Sequence, residues 1–294
     1  MPAPANIITT QSITANPREI DFVSRFGSRW QGIMDILGIS YPVRKAPGTL
    51  VKVRNATGTL NTATVAEGEE IPYSAFTVTE TPLEEIKLEK FRKGVSLESI
   101  NEYGYDVAIA KTDDAFLNEL QKRVLNKMYG YFSAMTATET RADAQKALAY
   151  MRGRVTNVFR GLNKDASGVV GFVNVDDFYS YLGEANIAVQ TQFGMTYVEN
   201  FLGYRVIFLC ADNEVASGKA YATAVDNLIL YYVDPSDGEF GRAGLDYVTD
   251  GVTNLVGFHT EGNYGSALSE SFAVMGLVMT ADYADGVIAC NIGA

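Results

Sequence analysis

Apolar side chains recur along this chain with two different periods. Over residues 112–137, Leu117, Leu120, Val124, Met128, Tyr131 and Met135 follow one another at three- and four-residue steps. That spacing predicts a helix, and 26 residues at 1.5 Å each make a rod of about 39 Å. Thr112 is an expected N-cap, and Asp113 and Asp114 suit the positive end of the helix dipole. A second helix is expected from Thr140, where Thr140 and Asp143 have capping-box spacing, Ala144, Leu148, Met151, Val155 and Val158 form the stripe, and Gly161 ends it. Nearer the start, Ile20, Val23, Phe26, Trp30, Ile33 and Leu37 predict a short helix within residues 17–38. Its stripe has no cover in its own segment, so another segment or another subunit has to supply it. Residues 1–15 are uncharged, rich in Pro, Ala, Thr and Ile, and read as an extended arm.

Between these helices the period drops to two. Val51-Lys52-Val53-Arg54 alternates, Asn55-Ala56-Thr57-Gly58-Thr59 reads as a turn-rich run, and Phe76, Val78, Ile86 and Leu88 alternate with Thr77, Thr79, Lys87 and Glu89. Such runs flanking a polar centre describe a long β-hairpin. Its middle, residues 61–74, offers few large apolar side chains, and a hairpin without a core is marginal in water. From Val169 the pattern is mixed: a buried strand over 169–173, a short helix capped by Asn174 with Asp176 and Asp177 in its first turn, strands over 204–210 and 228–233, then short strands and Gly-rich turns. The class is α+β.

Composition narrows the picture. The 294 residues carry 35 acids and 24 bases, and residues 211–294 alone hold twelve acids against Lys219 and Arg242. An acidic surface of this kind repels phosphate, so sequence-specific reading of DNA is not expected, although lying beside DNA without gripping it remains compatible. Cys210 and Cys290 each sit in an apolar run and read as small buried hydrophobes in a reducing cytosol. No stretch approaches the roughly 20 apolar residues of a membrane span, and residues 1–12 lack the charge and apolar core of a signal peptide.

Enzyme signatures are weak. One histidine, His259, leaves no His-rich metal site, and no G-x-S-x-G elbow accompanies it. Gly218-Lys219-Ala220 lacks the upstream Gly and the following Ser or Thr of a phosphate loop. Asp113/Asp114 and Asp176/Asp177 fall in first helical turns, where the dipole accounts for them, but an acidic carboxylate-based hydrolase stays open as a reading from a different class. Asn55-Ala56-Thr57 fits a glycosylation acceptor and reads more simply as a turn. No catalytic, metal or cofactor residue is assigned. Two charge clusters remain. Glu67, Glu69 and Glu70 stand in the unsupported hairpin middle, and Lys87, Lys90, Arg92 and Lys93 just after it. They are the expected inter-subunit contacts; a merely solvated face is the plainer reading of each.

Several segments together resemble the major capsid proteins of tailed bacteriophages, the Hong Kong 97-type fold. Ala66-Glu67-Gly68-Glu69-Glu70-Ile71-Pro72 followed by Lys90-Phe91-Arg92-Lys93-Gly94-Val95-Ser96 is similar to that family's extended loop and its return strand, and the helix from Thr112 to its spine helix. Tyr204-Arg205-Val206-Ile207, Gly218-Lys219-Ala220-Tyr221-Ala222 and residues 228–233 resemble its axial domain. Gly257-Phe258-His259, Ser269-Glu270-Ser271, Gly276 and Asp285-Gly286-Val287-Ile288 resemble its C-terminal region. The resemblance implies an N-terminal arm at 1–40, an extended hairpin at 41–90, a peripheral domain from 91–140 and 234–279, and an axial domain from 141–233 and 280–294. It implies hexamers and pentamers closing into an icosahedral virion shell around double-stranded DNA, assembled in the host cytoplasm, with a portal, a separate scaffolding protein and a decoration protein as partners. An encapsulin-like nanocompartment shell has the same fold and is the alternative. Residues 55–83 contain no lysine, so the hairpin cross-link some relatives form is not expected.

Overall fold

In the computed structural model the described residues are 17–28, 36–62, 64–164, 166, 168–183, 190–192, 195–199, 201–225 and 227–293. The expected arm and the stripe positions Trp30 and Ile33 lie outside them. In chain order the elements are helix α1 (Pro17–Ser28), strands β1 (Ser40–Arg44), β2 (Leu50–Thr59), β3 (Ala75–Glu85) and β4 (Glu89–Ser96), and helices α2 (Leu97–Tyr103) and α3 (Lys111–Ser133). Strand β5 (Glu139–Arg141), helix α4 (Ala144–Gly161), β6 (Val169–Asn174) and helix α5 (Val175–Leu182) follow. Then come β7 (Gln190–Gln192), β8 (Met195–Glu199), β9 (Val206–Cys210), β10 (Lys219–Ala224) and β11 (Leu228–Tyr232), and the short helix α6 (Gly238–Arg242). The chain closes with β12 (Val256–Asn263), β13 (Leu268–Met275), β14 (Leu277–Ala281) and β15 (Ile288–Ile292).

Four sheets result. The largest has the order β5-β15-β10-β6-β9-β8-β7 and is mixed, with β6 parallel to β9 and β15 parallel to β5. One face packs α4 and α5 through Leu148, Met151, Val155 and Phe178. The other receives the C-terminal half of α3, where Phe132 lies 4.6 Å from the Phe172 ring and 5.3 Å from Tyr221. A second sheet, β12-β13-β4, supports the N-terminal half of α3 and α1. A third, β1-β11-β14, joins them, and β2-β3 form a two-stranded ribbon.

Phe26 of the α1 stripe and its neighbour Phe22 are covered by their own chain, with their rings edge-on to Phe258 at 4.9 and 4.7 Å. Residues 40–44 do not extend the hairpin; they pair in parallel with β11, from Ser40 opposite Leu228 to Arg44 opposite Tyr232.

Local chemistry corrects three expectations. Thr112 is not a cap: a π turn over Asp106–Ala110 runs straight into α3, and the Thr112 hydroxyl donates back to the carbonyls of Ala108 and Ile109. Thr140 lies in β5, and Asp143 alone caps α4 by accepting from the Lys146 N–H at 2.8 Å. The run 55–59 is strand, because Ala56, Thr57 and Gly58 pair with Val78, Thr77 and Phe76. Two expectations match: Asn174 caps α5, accepting from the Asp176 N–H at 2.8 Å, and β6 is buried along its whole length.

Candidate assembly surfaces

The β2-β3 ribbon leaves the body at a small apolar root. Val51, Ile86, Val233 and Val278 are buried there with Leu88, Tyr231 and Phe240 against them. Beyond the root, Ala56–Thr59 and residues 75–80 are exposed, including Phe76 and Val78 near two-thirds exposure at 63% and 66%. The connecting loop adds Leu60, Ile71 and Tyr73, the last 91% exposed. Phe76 rests over its cross-strand partner Gly58, where a Cβ would stand 2.3 Å from the ring. An isolated ribbon of this kind buries too little apolar surface to hold itself and exposes what another surface has to cover.

The acidic cluster sits at the ribbon's outer end. Glu67 and Glu70 are exposed, while Glu69 accepts from the Ala66 N–H at 3.2 Å and tightens the turn. The basic cluster divides by strand parity. Along β4, Lys90 and Arg92 point outward, and Phe91, Lys93 and Val95 point toward the body, as side chains two residues apart must. Lys87 is largely exposed, 4.0 Å from Glu85. Arg92 reaches across the sheet to the buried Glu270 and lies 5.5 Å over the Phe272 ring. Lys93 is committed inside the chain: its ammonium donates to Asp113 and to Thr112. Burial pushes the Lys93 amine below its ordinary value, and Asp113 opposes that shift.

A second exposed apolar surface was not read from the sequence. Helix α2 buries no residue, and Leu97, Tyr103, Tyr105 and Val107 stand out with Tyr264 at the β12-β13 turn. Leu97, Ile100, Tyr264 and Leu268 line a shallow cleft of about 280 Å³. Its apolar residues span a helix and a distant turn, so no single periodic run signals it.

The remaining singled-out residues hold the fold. His259 Nδ1 lies 3.2 Å from Glu19 Oε1, and that carboxylate also accepts from the Thr260 N–H. Asp177 accepts from the Ser217 hydroxyl and the Gly218 N–H, so the Gly218-Lys219 turn is a tether into β10. Cys210 and Cys290 are buried thiols, each pushed up by desolvation. Among the described residues no cluster of His, Cys, Asp and Glu is arranged to hold a metal, and no helix is long and apolar enough to cross a membrane.

No protein-family model and no curated protein sequence matches this chain. Solved structures do. The capsid protein of cyanophage A-1(L) is 14% identical, with 98% of this chain and 99% of that one covered at a TM-score of 0.56. The holo-SrpI encapsulin complex from Synechococcus elongatus PCC 7942 is 11% identical, with 99% and 92% covered at 0.55. A virus-like particle from Pyrococcus furiosus is 11% identical, with 94% and 100% covered at 0.53. At these identities the likeness is one of fold, and the fold is that of shell-forming capsid and encapsulin subunits.

Proposed function

We propose that this chain, whose fold is the Hong Kong 97 type, is the major capsid protein of a tailed bacteriophage. Copies associate into hexamers and pentamers that close an icosahedral shell around double-stranded DNA. The observation that carries the reading is the β2-β3 ribbon, rooted on Ile86 and exposing Leu60, Ile71, Tyr73, Phe76 and Val78 with no cover from its own chain among the described residues. In a closed assembly every such ribbon finds the same neighbouring surface, so one interface repeats over the whole shell. Glu67 and Glu70 then meet Lys87 and Lys90 of an adjacent copy, with Glu69 shaping the turn and Arg92 held at home by the buried Glu270. Lys93, held by Asp113, drops out of that interface. A portal, a scaffolding protein and a decoration protein complete the expected partners, and the role is structural.

A second reading keeps the shell and changes its contents. The likeness to an encapsulin covers 99% of this chain, so a nanocompartment holding a protein cargo shares every feature above. Sizing and electron microscopy of the purified full-length protein test the common core: megadalton closed particles or capsomers are expected. A clean 32.0 kDa monomer at high concentration overturns both readings.

A further inference from the structure

A basic face lies on α4. In a chain of net charge −11, this helix carries Lys146, Arg152, Arg154 and Arg160 and no acidic residue. Its apolar face, Ala144, Ala147, Leu148, Met151, Val155 and Phe159, is buried against the large sheet. At about 100° per residue, Lys146, Arg154 and Arg160 fall within an arc of about 120° on the opposite side, spread over about 21 Å of helix. The bases differ in their commitments. Arg152 turns aside to donate to the Leu202 carbonyl, and Lys146 bridges back to the cap Asp143. Arg154 and Arg160 are exposed and make no ion pair among the described residues. Lys164, just past the helix end, lies 4.0 Å over the Tyr283 ring, and Arg141 at the other end stacks on Tyr150. Glu139 and Asp143 stand at the N-terminal end beside Arg141 and Lys146, and Asp285 is exposed on the turn whose Gly286 packs on Phe159.

Gly153, Asn157 and Gly161 lie on the same arc beside the half-buried Tyr150, and a Cβ at either glycine would meet nothing within 4 Å. A mid-helix glycine weakens its helix, and here no packing demands one. We propose that this face of α4 lies against the phosphate backbone of double-stranded nucleic acid without reading its sequence. The proposal rests on the reading of the chain as a capsid shell subunit and names the surface that meets the contents. Guanidinium groups match phosphate in fork geometry.

The test uses full-length protein kept below its assembly concentration and titrated with a short fluorescent duplex of mixed sequence. Binding that weakens with salt is expected. Arg154→Gln with Arg160→Gln should weaken it by about tenfold at low salt and lower the slope of log K against log salt by about 1.8, or about 0.9 per lost phosphate contact. Arg242→Gln, an exposed arginine on α6, should leave binding unchanged, and circular dichroism should show each variant folded. The proposal is overturned if wild-type protein ignores the duplex, if the double variant binds like wild type, or if polyglutamate binds as well as the duplex. Sizing of the same protein at higher concentration reports shell formation separately. Shells without duplex binding overturn this proposal and leave the shell intact as a reading; failure to assemble counts against the shell whatever the duplex does.

Discussion

Arg18 and Asp113 lie 95 residues apart and meet through three hydrogen bonds of 3.0 to 3.2 Å, from Nε and Nη2 of the guanidinium to both oxygens of a carboxylate that is 1% exposed. Arg18 also donates to the hydroxyls of Ser269 and Ser271, and Lys93 approaches Asp113 from β4. One carboxylate thus ties α1, α3 and the β12-β13-β4 sheet together. One residue on, Glu19 accepts from Thr260; further along, Arg25 pairs with Asp114 at 3.0 Å.

Removing that carboxylate leaves two cations buried together. Asp113→Ala should cost about 3–5 kcal/mol of subunit stability, the range for breaking a buried pair from one side. Urea unfolding of the unassembled protein measures it. A loss under 1 kcal/mol would show that the cluster is solvated in practice.

Gly58 separates subunit folding from assembly. Its missing Cβ makes room for the Phe76 ring and the Ala75 carbonyl, which would lie 2.3 and 2.5 Å from it. Gly58→Ala should distort the ribbon and reduce assembly. The ribbon stands outside the main cores, so the thermal midpoint of the subunit should move by less than about 2 °C. Normal shells from this variant would refute a ribbon-mediated interface.

Replacing Glu67, Glu69 and Glu70 together by lysine should block or deform assembly while the subunit stays folded. Adding the reversals Lys87→Glu and Lys90→Glu should restore it. Each exposed pair contributes only about 0–1 kcal/mol, so the effect depends on repetition over many copies. Assembly of the wild type should also weaken toward 1 M salt, where the screening length is about 3 Å. A normal shell from the glutamate reversal would sink the contact.

The hairpin carries no lysine between Asn55 and Leu83, so mature particles should dissolve into single chains. Boiled denaturing gels should show one band near 32.0 kDa, and ladders of multiples would refute this.

Glu89 supplies a pH dependence. Its hydrogen bond from Arg123, with a second cation at Lys127, holds the carboxyl below the ordinary carboxylate value. A depressed folded pKa stabilises the protein above the unfolded value of about 4.3, and the gain is lost as pH falls through the folded one. Glu89→Gln should therefore cost stability at pH 7 and converge with wild type as the medium becomes strongly acidic. A constant gap across the acid range would assign the loss to packing.

Periodicity alone determined the elements that bury one face. Leu117 to Met128 marked α3, Leu148 to Val155 marked α4, and the alternation of residues 76–79 marked β3, because burial on one side of a regular backbone writes its own period into the chain. The same local reading found the Asp143 and Asn174 neighbourhoods and the exposed glutamates of the loop. What it misjudged depended on partners far away in sequence. Asn55 to Thr59 carry turn-forming side chains, yet they pair with residues 75–79, and ladder hydrogen bonds outweigh propensity. Thr112 looked like a cap until the preceding π turn supplied the carbonyls its hydroxyl uses. Lys93 looked like its neighbours Lys90 and Arg92; strand parity and the position of Asp113 turned it inward. The sequence by itself therefore determined the elements that bury one regular face and where the charges lie along the chain. Only the tertiary structure decided which charges face a partner and which face each other, because a side chain's solvation is set by elements that reach it from elsewhere in the chain.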